Sequence, residues 1–246
     1  MKMDDLIQAF PDQLKRAIEI GEAAKIGKSK FPVRNILISG LGGSGIGGTI
    51  LANVLRDDIA VPIIVSKEYQ IPAFVNENTL VIISSYSGNT EETLSALMQA
   101  FKKEAQIVCI TSGGLIKEYA ETNDIDYVQI DGGAPPRSAF GQSFVQLLYI
   151  LHHLGLLENG FKQYLQDAIA LLDSEEEAIK TQAKEIAEKF KRRFKLYRFL
   201  RLFGLQLTQL GNQTSITSGR LIRCALSSFT VTFVKNIFTA LVCLFK

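Results

Sequence analysis

The sequence predicts an α/β fold: a doubly wound, five-stranded parallel sheet flanked by helices, with a C-terminal helical extension. Two observations carry this. Five short β-branched runs recur between residues 34 and 130, and helical apolar spacing separates most of them. The first run also enters a glycine cluster that opens a helix, the junction a βα unit requires.

The elements follow in order. Asp4 to Lys25 places Leu6, Ile7, Phe10, Leu14, Ala17 and Ile18 at helical spacing, with Asp4 or Asp5 as N-cap and Pro11 as a break or restart. Arg34 to Ser39 (RNILIS) is an apolar run of the kind found in strands buried on both faces. A helix is expected over Ile46 to Leu55. Pro62 to Ser66, Leu80 to Ser84, Ile107 to Thr111 and Tyr127 to Ile130 read as four further strands, with helices over Thr90 to Lys103 and Leu115 to Glu121 between them. Right-handed crossovers put all the strand C-termini on one edge, where such sheets take their ligands. From Gln142 the chain turns helical: Ser143 to Leu157, then one long charged helix from Phe161 to about Lys191. No repeat of solenoid period is present.

Of the 246 residues, 47% are apolar and 21% charged, a globular composition that excludes a disordered or collagen-like chain. Cys109, Cys224 and Cys243 show no CxxC spacing, so neither a zinc site nor a disulfide framework is indicated, and a reducing, cytoplasmic setting is expected. The opening MKMDDLIQAF has no apolar h-region of a signal peptide.

The net charge of +2 averages two unlike segments. Residues 1–188 hold all 25 acidic residues and 16 of the 27 basic ones, whereas residues 189–246 hold 11 basic residues and no Asp or Glu. A nucleic-acid arm would explain the charge, but basic residues thin out after Arg201 and no reading motif follows, so no nucleic-acid partner is expected. In Ala225 to Phe245, eleven Leu, Ile, Val and Phe residues favour membrane insertion by roughly 0.3–0.6 kcal/mol each. Lys235 opposes them by about 2.5–3.5 kcal/mol, joined by Asn236, Ser227 and Ser228, so spanning is marginal and a membrane partner is not expected. A frame-shifted or degenerate end is the favoured reading; a divergent fold segment is the alternative. The organisation expected is a ligand-binding domain over 1–155, a helical linker over 156–194 and an atypical acid-free tail over 195–246.

Two loops on the ligand edge carry the chemistry. Gly40-Leu41-Gly42-Gly43-Ser44-Gly45-Ile46-Gly47-Gly48 follows the first strand, and its glycines let backbone N–H groups close on an anion at a helix N-terminus. Read literally, Gly40-x-Gly42-x-x-Gly45 fits a dinucleotide fingerprint, with Glu68 after the second strand as a ribose ligand. A P-loop is excluded, because Thr49 follows Gly48 and no Lys is present. Ser84-Ser85-Tyr86-Ser87-Gly88-Asn89-Thr90-Glu91-Glu92-Thr93 follows the third strand. Ser85, Ser87 and Thr90 offer hydroxyls, and Gly88 and Asn89 offer backbone amides. Hydrogen bonds to a charged acceptor contribute about 1.5–3 kcal/mol each, so four or five hold a phosphate monoester without a lysine. The bland alternative is an ordinary Ser/Thr turn and N-cap, with Glu91 and Glu92 complementing the helix dipole. A third element, Asp131-Gly132-Gly133-Ala134-Pro135-Pro136-Arg137-Ser138, uses two prolines to project Arg137 from the same edge, where a guanidinium suits a developing oxyanion such as an enediolate. A surface arginine on a rigid loop is the plainer reading.

The combination GLGGSGIGG, SSYSGNTEET and GGAPPRSAFG resembles the bifunctional phosphoglucose/phosphomannose isomerase family within the sugar isomerase (SIS) superfamily, over roughly residues 1–194. The resemblance implies two SIS halves, no cofactor or metal, a homodimer, and interconversion of glucose 6-phosphate or mannose 6-phosphate with fructose 6-phosphate through an enediolate. By the same resemblance, Gly43, Ser44, Ser85, Ser87 and Thr90 hold the phosphate and Arg137 is catalytic. The family's proton-shuttling Glu and ring-opening His lie in its second half, in a PEMNHNE-like region. Here no Glu follows Glu188, and the only histidines, His152 and His153, sit in the apolar LLYILHHLGLL, where packing is expected. The chain is therefore expected to bind better than it turns over. A non-catalytic SIS module that binds sugar phosphates is the alternative, and an NAD-linked oxidoreductase a third reading.

Overall fold

A computed structural model of the chain describes residues 3–202, with side chains described from 5 to 191. The chain divides into two compact units, Met1–Leu165 and Gln166 onward. In the first, α1 (Met3–Gln8) and α2 (Phe10–Ala23) lead to the strands β1 (Asn35–Ser39), β2 (Ile63–Ser66), β3 (Thr79–Ser84), β4 (Gln106–Thr111) and β5 (Asp126–Gln129). Between them run α3 (Gly42–Val54), α4 (Glu91–Lys102) and α5 (Gly114–Thr122); a 3₁₀ turn (Pro136–Ser138) and α6 (Phe140–His153) follow. α7 (Gly160–Ser174) and α8 (Glu176–Leu202) complete the described chain.

All neighbouring strands are parallel, in the order β2-β1-β3-β4-β5. The winding reverses between β1 and β3, so their C-terminal ends, Ser39 and Ser84, flank the topological switch point where doubly wound sheets bind ligands. The three central strands are almost wholly buried, which explains their unbroken β-branched sequences.

Leu37, Val81, Ile83 and Cys109 line one sheet face, beneath Ala96, Leu97 and Ala100 of α4 and Ile116 and Ala120 of α5. On the other face Gly48 of α3 lies against Ile38; a Cβ there would stand 2.9 Å from Ile38 Cγ2. Beyond α3, α6 packs against α2. Gly21 leaves room for the ring of fully buried Tyr149, and Gln146 Nε2 donates to Ala17 O at 2.8 Å.

Two expectations are corrected. α3 starts at Gly42, four residues before the predicted Ile46, because Gly42 takes the left-handed φ of +54° that turns the chain from Leu41 into the helix. The single long helix after Phe161 is two helices separated at Glu175. Ser174 Oγ back-bonds to Leu171 O at 3.1 Å beside the break, while Leu171 O still accepts Glu175 N at 3.0 Å. The restart at Pro11 is observed, with the proline in the first turn of α2. The 203–246 part of the acid-free tail, including Cys224, Cys243 and Ala225 to Phe245, lies outside the described residues.

Candidate functional site

The edge formed by the strand C-termini collects the three sequence elements. The loop after β1 runs beside the end of β3: a Cβ on Gly40 would lie 2.9 Å from Ser84 O. Gly45 packs tightly against Gly40 O, with Lys67 Cε of the loop after β2 also close. Gly43 and Ser44 occupy the first turn of α3, whose N-cap, Leu41, supplies no side-chain acceptor to the leading amides. These residues sit at the positive end of the helix, Ser44 buried and Gly43 half-exposed, with a Cβ on Gly43 about 3.8 Å from Pro136 O.

The loop after β3 is held in one shape. Ser85 N donates to Ile110 O at 3.0 Å and extends the ladder past the strand. Gly88 takes φ +68°, and any Cβ there would collide with Gly113 O. Gly88 O and Asn89 Oδ1 accept from Ile116 N (2.9 Å) and Leu115 N (3.0 Å), so the loop caps the N-terminus of α5. This corrects part of the expected donor set. Gly88 N is already bonded to Ser85 O (3.2 Å) and Asn89 N to Ser87 Oγ (3.3 Å), because a turn this tight satisfies its own amides.

The hydroxyls are arranged otherwise. Buried Ser85 and half-buried Thr90 bring Oγ and Oγ1 to 3.0 Å of one another. Thr90 is the N-cap of α4 but makes no side-chain cap bond, so its hydroxyl is not consumed by the helix. Ser87 is exposed at the tip. Glu91 and Glu92 occupy the first turn of α4, and Tyr69 Oη donates to Glu91 Oε2 at 3.4 Å. The charge of Glu92, followed by burial and the charge of Glu91, raises the Tyr69 phenol above its ordinary pKa.

Arg137 is exposed at the centre of the 3₁₀ turn and has no ion-pair or hydrogen-bond partner among the described residues. Anchors on either side fix its segment. Asp131 receives Gln142 Nε2 (3.0 Å) and Arg16 Nε (3.2 Å) on its carboxylate, Ala134 N donates to Tyr86 Oη (3.0 Å), and Gln13 Nε2 donates to Ser138 O (2.6 Å). Tyr86 and Gln13 escaped the sequence reading because their partners lie 48 and 125 residues away.

The two histidines belong to a different cluster, at the C-terminal end of α6. His152 Nδ1 bonds Leu157 O at 2.9 Å and His153 Nε2 bonds Gly21 O at 2.8 Å, the packing role expected of them. Among the described residues, no group of three or more His, Cys, Asp or Glu side chains is placed to hold a metal, and no helix is long and apolar enough to cross a membrane.

Residues 31–135 match the SIS domain family. The chain is 40% identical over 183 residues to a bifunctional phosphoglucose/phosphomannose isomerase of Caldicellulosiruptor bescii, covering 74% of this chain and 54% of the relative. It is 50% identical over 107 residues to the protein of that name from Thermoplasma acidophilum, covering 44% and 32%. The chain thus spans about half the length, or less, of these curated relatives. Among solved structures, a candidate phosphosugar isomerase from Clostridium difficile superposes with a TM-score of 0.60 at 21% identity, over 78% of this chain and 57% of that one. The C-terminal domain of a glucosamine-fructose-6-phosphate aminotransferase from Francisella tularensis gives 0.53 at 19% identity, over 74% and 56%. These structural likenesses concern the fold.

Proposed function

We infer, for a chain whose residues 31–135 belong to the SIS domain family, that the edge between β1 and β3 binds the phosphate of a hexose 6-phosphate and serves an aldose–ketose isomerisation. The observation that carries this reading is the pairing, at 3.0 Å, of Ser85 Oγ with Oγ1 of Thr90, the N-cap of α4, whose side chain makes no cap bond. A phosphate oxygen replaces that mutual bond, and each hydroxyl then donates to it. Ser87 adds a third hydroxyl, and the first-turn amides at Gly43 and Ser44 add N–H donors from the facing helix. Charge-assisted bonds of about 1.5–3 kcal/mol each make such a set sufficient without a lysine.

Arg137 is assigned to the reacting end of the sugar. Moving a proton between C1 and C2 places negative charge on the enediolate oxygens, and an unpaired guanidinium on an anchored turn lowers the energy of that state more than that of the neutral sugar. Interconversion of glucose 6-phosphate or mannose 6-phosphate with fructose 6-phosphate is the reaction proposed, by likeness to the relatives so named. Glu91 and Glu92 are committed to the start of α4, and His152 and His153 to backbone carbonyls at the other end of α6. This chain is accordingly proposed to bind phosphosugar with impaired turnover. Calorimetric titration with fructose 6-phosphate and with fructose, beside a coupled isomerase assay, tests the reading. Binding of the phosphate ester but not of the free sugar is expected; equal binding of both overturns it.

A further inference from the structure

The Arg137 segment is tied down at four places, and three of the ties come from helices behind it. Gln142 holds Asp131, and Gln13 takes both Ser138 O and Gly141 N (3.1 Å). Only Tyr86 reaches the segment from the hydroxyl loop itself, where it sits between Ser85 and Ser87. Its phenol oxygen accepts the Ala134 N–H at 3.0 Å, three residues before Arg137. The Tyr86 backbone is in turn fixed, since its carbonyl accepts both Ser112 N (3.0 Å) and Ser112 Oγ (2.6 Å). A Cβ on Gly132 would lie 3.6 Å from that same Ser112. The loops after β3, β4 and β5 thus meet at half-buried Tyr86, Ser112 on its carbonyl and Ala134 on its phenol.

We propose that Tyr86 is a positioning residue that registers Arg137 against the anion-binding hydroxyls through the Ala134 amide. The inference rests on the site reading above and extends it. If the hydroxyls hold the phosphate and Arg137 meets the enediolate, the separation between the two must match the sugar, and Tyr86 is the strut that sets it. Replacing Tyr86 by Phe keeps the ring and deletes only the acceptor. The hydroxyls of Ser85 and Thr90 stay paired, while the turn that carries Arg137 loses its near anchor and keeps the far one at Gln13.

The test is a double-variant cycle on the full chain with Tyr86→Phe and Arg137→Ala. It is read by titration with fructose 6-phosphate and with a phosphosugar hydroxamate, a planar anionic mimic of the enediolate. Tyr86→Phe is expected to leave fructose 6-phosphate affinity within about twofold. Hydroxamate affinity should fall about fivefold, equivalent to roughly 1 kcal/mol at about 1.4 kcal/mol per tenfold, the size of one neutral hydrogen bond. In the Arg137→Ala background the same change should have no further effect on the hydroxamate. Equal losses on both ligands, or a hydroxamate loss that persists without Arg137, would overturn the proposal and leave Tyr86 a structural residue. Hydrogen exchange at the Ala134 amide gives a ligand-free readout, and unchanged protection in Tyr86→Phe would overturn it too. A folded wild-type chain that binds neither ligand would instead refute the site reading, and the inference with it.

Discussion

Replacing Gly88 by alanine tests the architecture of the hydroxyl loop more sharply than removing any hydroxyl, because the cost follows from geometry. Gly88 sits at φ +68°, where an L-residue costs about 1–2 kcal/mol. Its new Cβ would also run into Gly113 O. That carbonyl cannot retreat freely, since Thr111 Oγ1 donates to it at 2.7 Å and accepts Gly113 N at 3.2 Å. The loop must lift instead, breaking the two bonds that cap α5, each contributing about 0.5–1.5 kcal/mol. Reduced freedom of the unfolded chain returns about 0.4–1 kcal/mol. Gly133 is the internal control: it is also left-handed, at φ +87°, but nothing lies within 4 Å of a Cβ there. Conformational cost is common to both substitutions, so Gly88→Ala should exceed Gly133→Ala by the two lost bonds, about 1–3 kcal/mol. Urea unfolding with an unchanged slope measures this difference. Equal destabilisation by the two variants would refute the argument that the loop is locked against Gly113.

Further expectations concern the rest of the molecule. Removing the Arg137 guanidinium should weaken a phosphosugar hydroxamate by about 10–100-fold, the size of one charge-assisted bond, while fructose 6-phosphate binding changes little; titration of Arg137→Ala checks this. Burial pushes the Cys109 thiol up to about 12, so it should resist alkylation at pH 8 in the folded protein and react in urea, as read by peptide mass mapping. A hydrogen bond from Lys162 (2.8 Å) principally, with a further contribution from Tyr149, holds the Glu22 carboxyl below its ordinary range. A depressed folded pKa stabilises above the unfolded value and is lost as pH falls through the folded one. Glu22→Gln should therefore narrow the gap in urea midpoint between pH 7 and pH 3. Because the pair is half exposed, the effect should be small, and a wider gap in the variant would contradict the assignment.

The sheet was legible because its evidence is local. β1, β3 and β4 are short, β-branched and nearly wholly buried, and each leads into a loop whose composition announces a turn. The site was legible as a list of hydroxyls and glycines on one edge, but its use of them was not. Sequence assigns a free amide to Gly88 and Asn89, whereas the fold spends both within the turn and spends Asn89 Oδ1 on α5. Sequence offers the Thr90 hydroxyl to a phosphate, with an ordinary helix cap as the alternative; in the fold it makes no cap bond and pairs with Ser85. Tyr86 lies within the SSYSGNTEET loop and Gln13 and Gln142 outside any motif, but the importance of all three lies in partners brought near only by the finished fold. The start of α3 was not legible, because glycine is a poor helix former and propensity gives no sign that Gly42 supplies the entering turn.

Titration of fructose 6-phosphate into the folded chain and into a Ser85→Ala/Thr90→Val variant tests the central claim most directly. The account predicts saturable binding by the wild type and a loss of about 100-fold or more in the variant, from two charge-assisted bonds of about 1.5–3 kcal/mol each. Undiminished affinity in a folded variant would contradict it, and would move the phosphate away from the edge between β1 and β3.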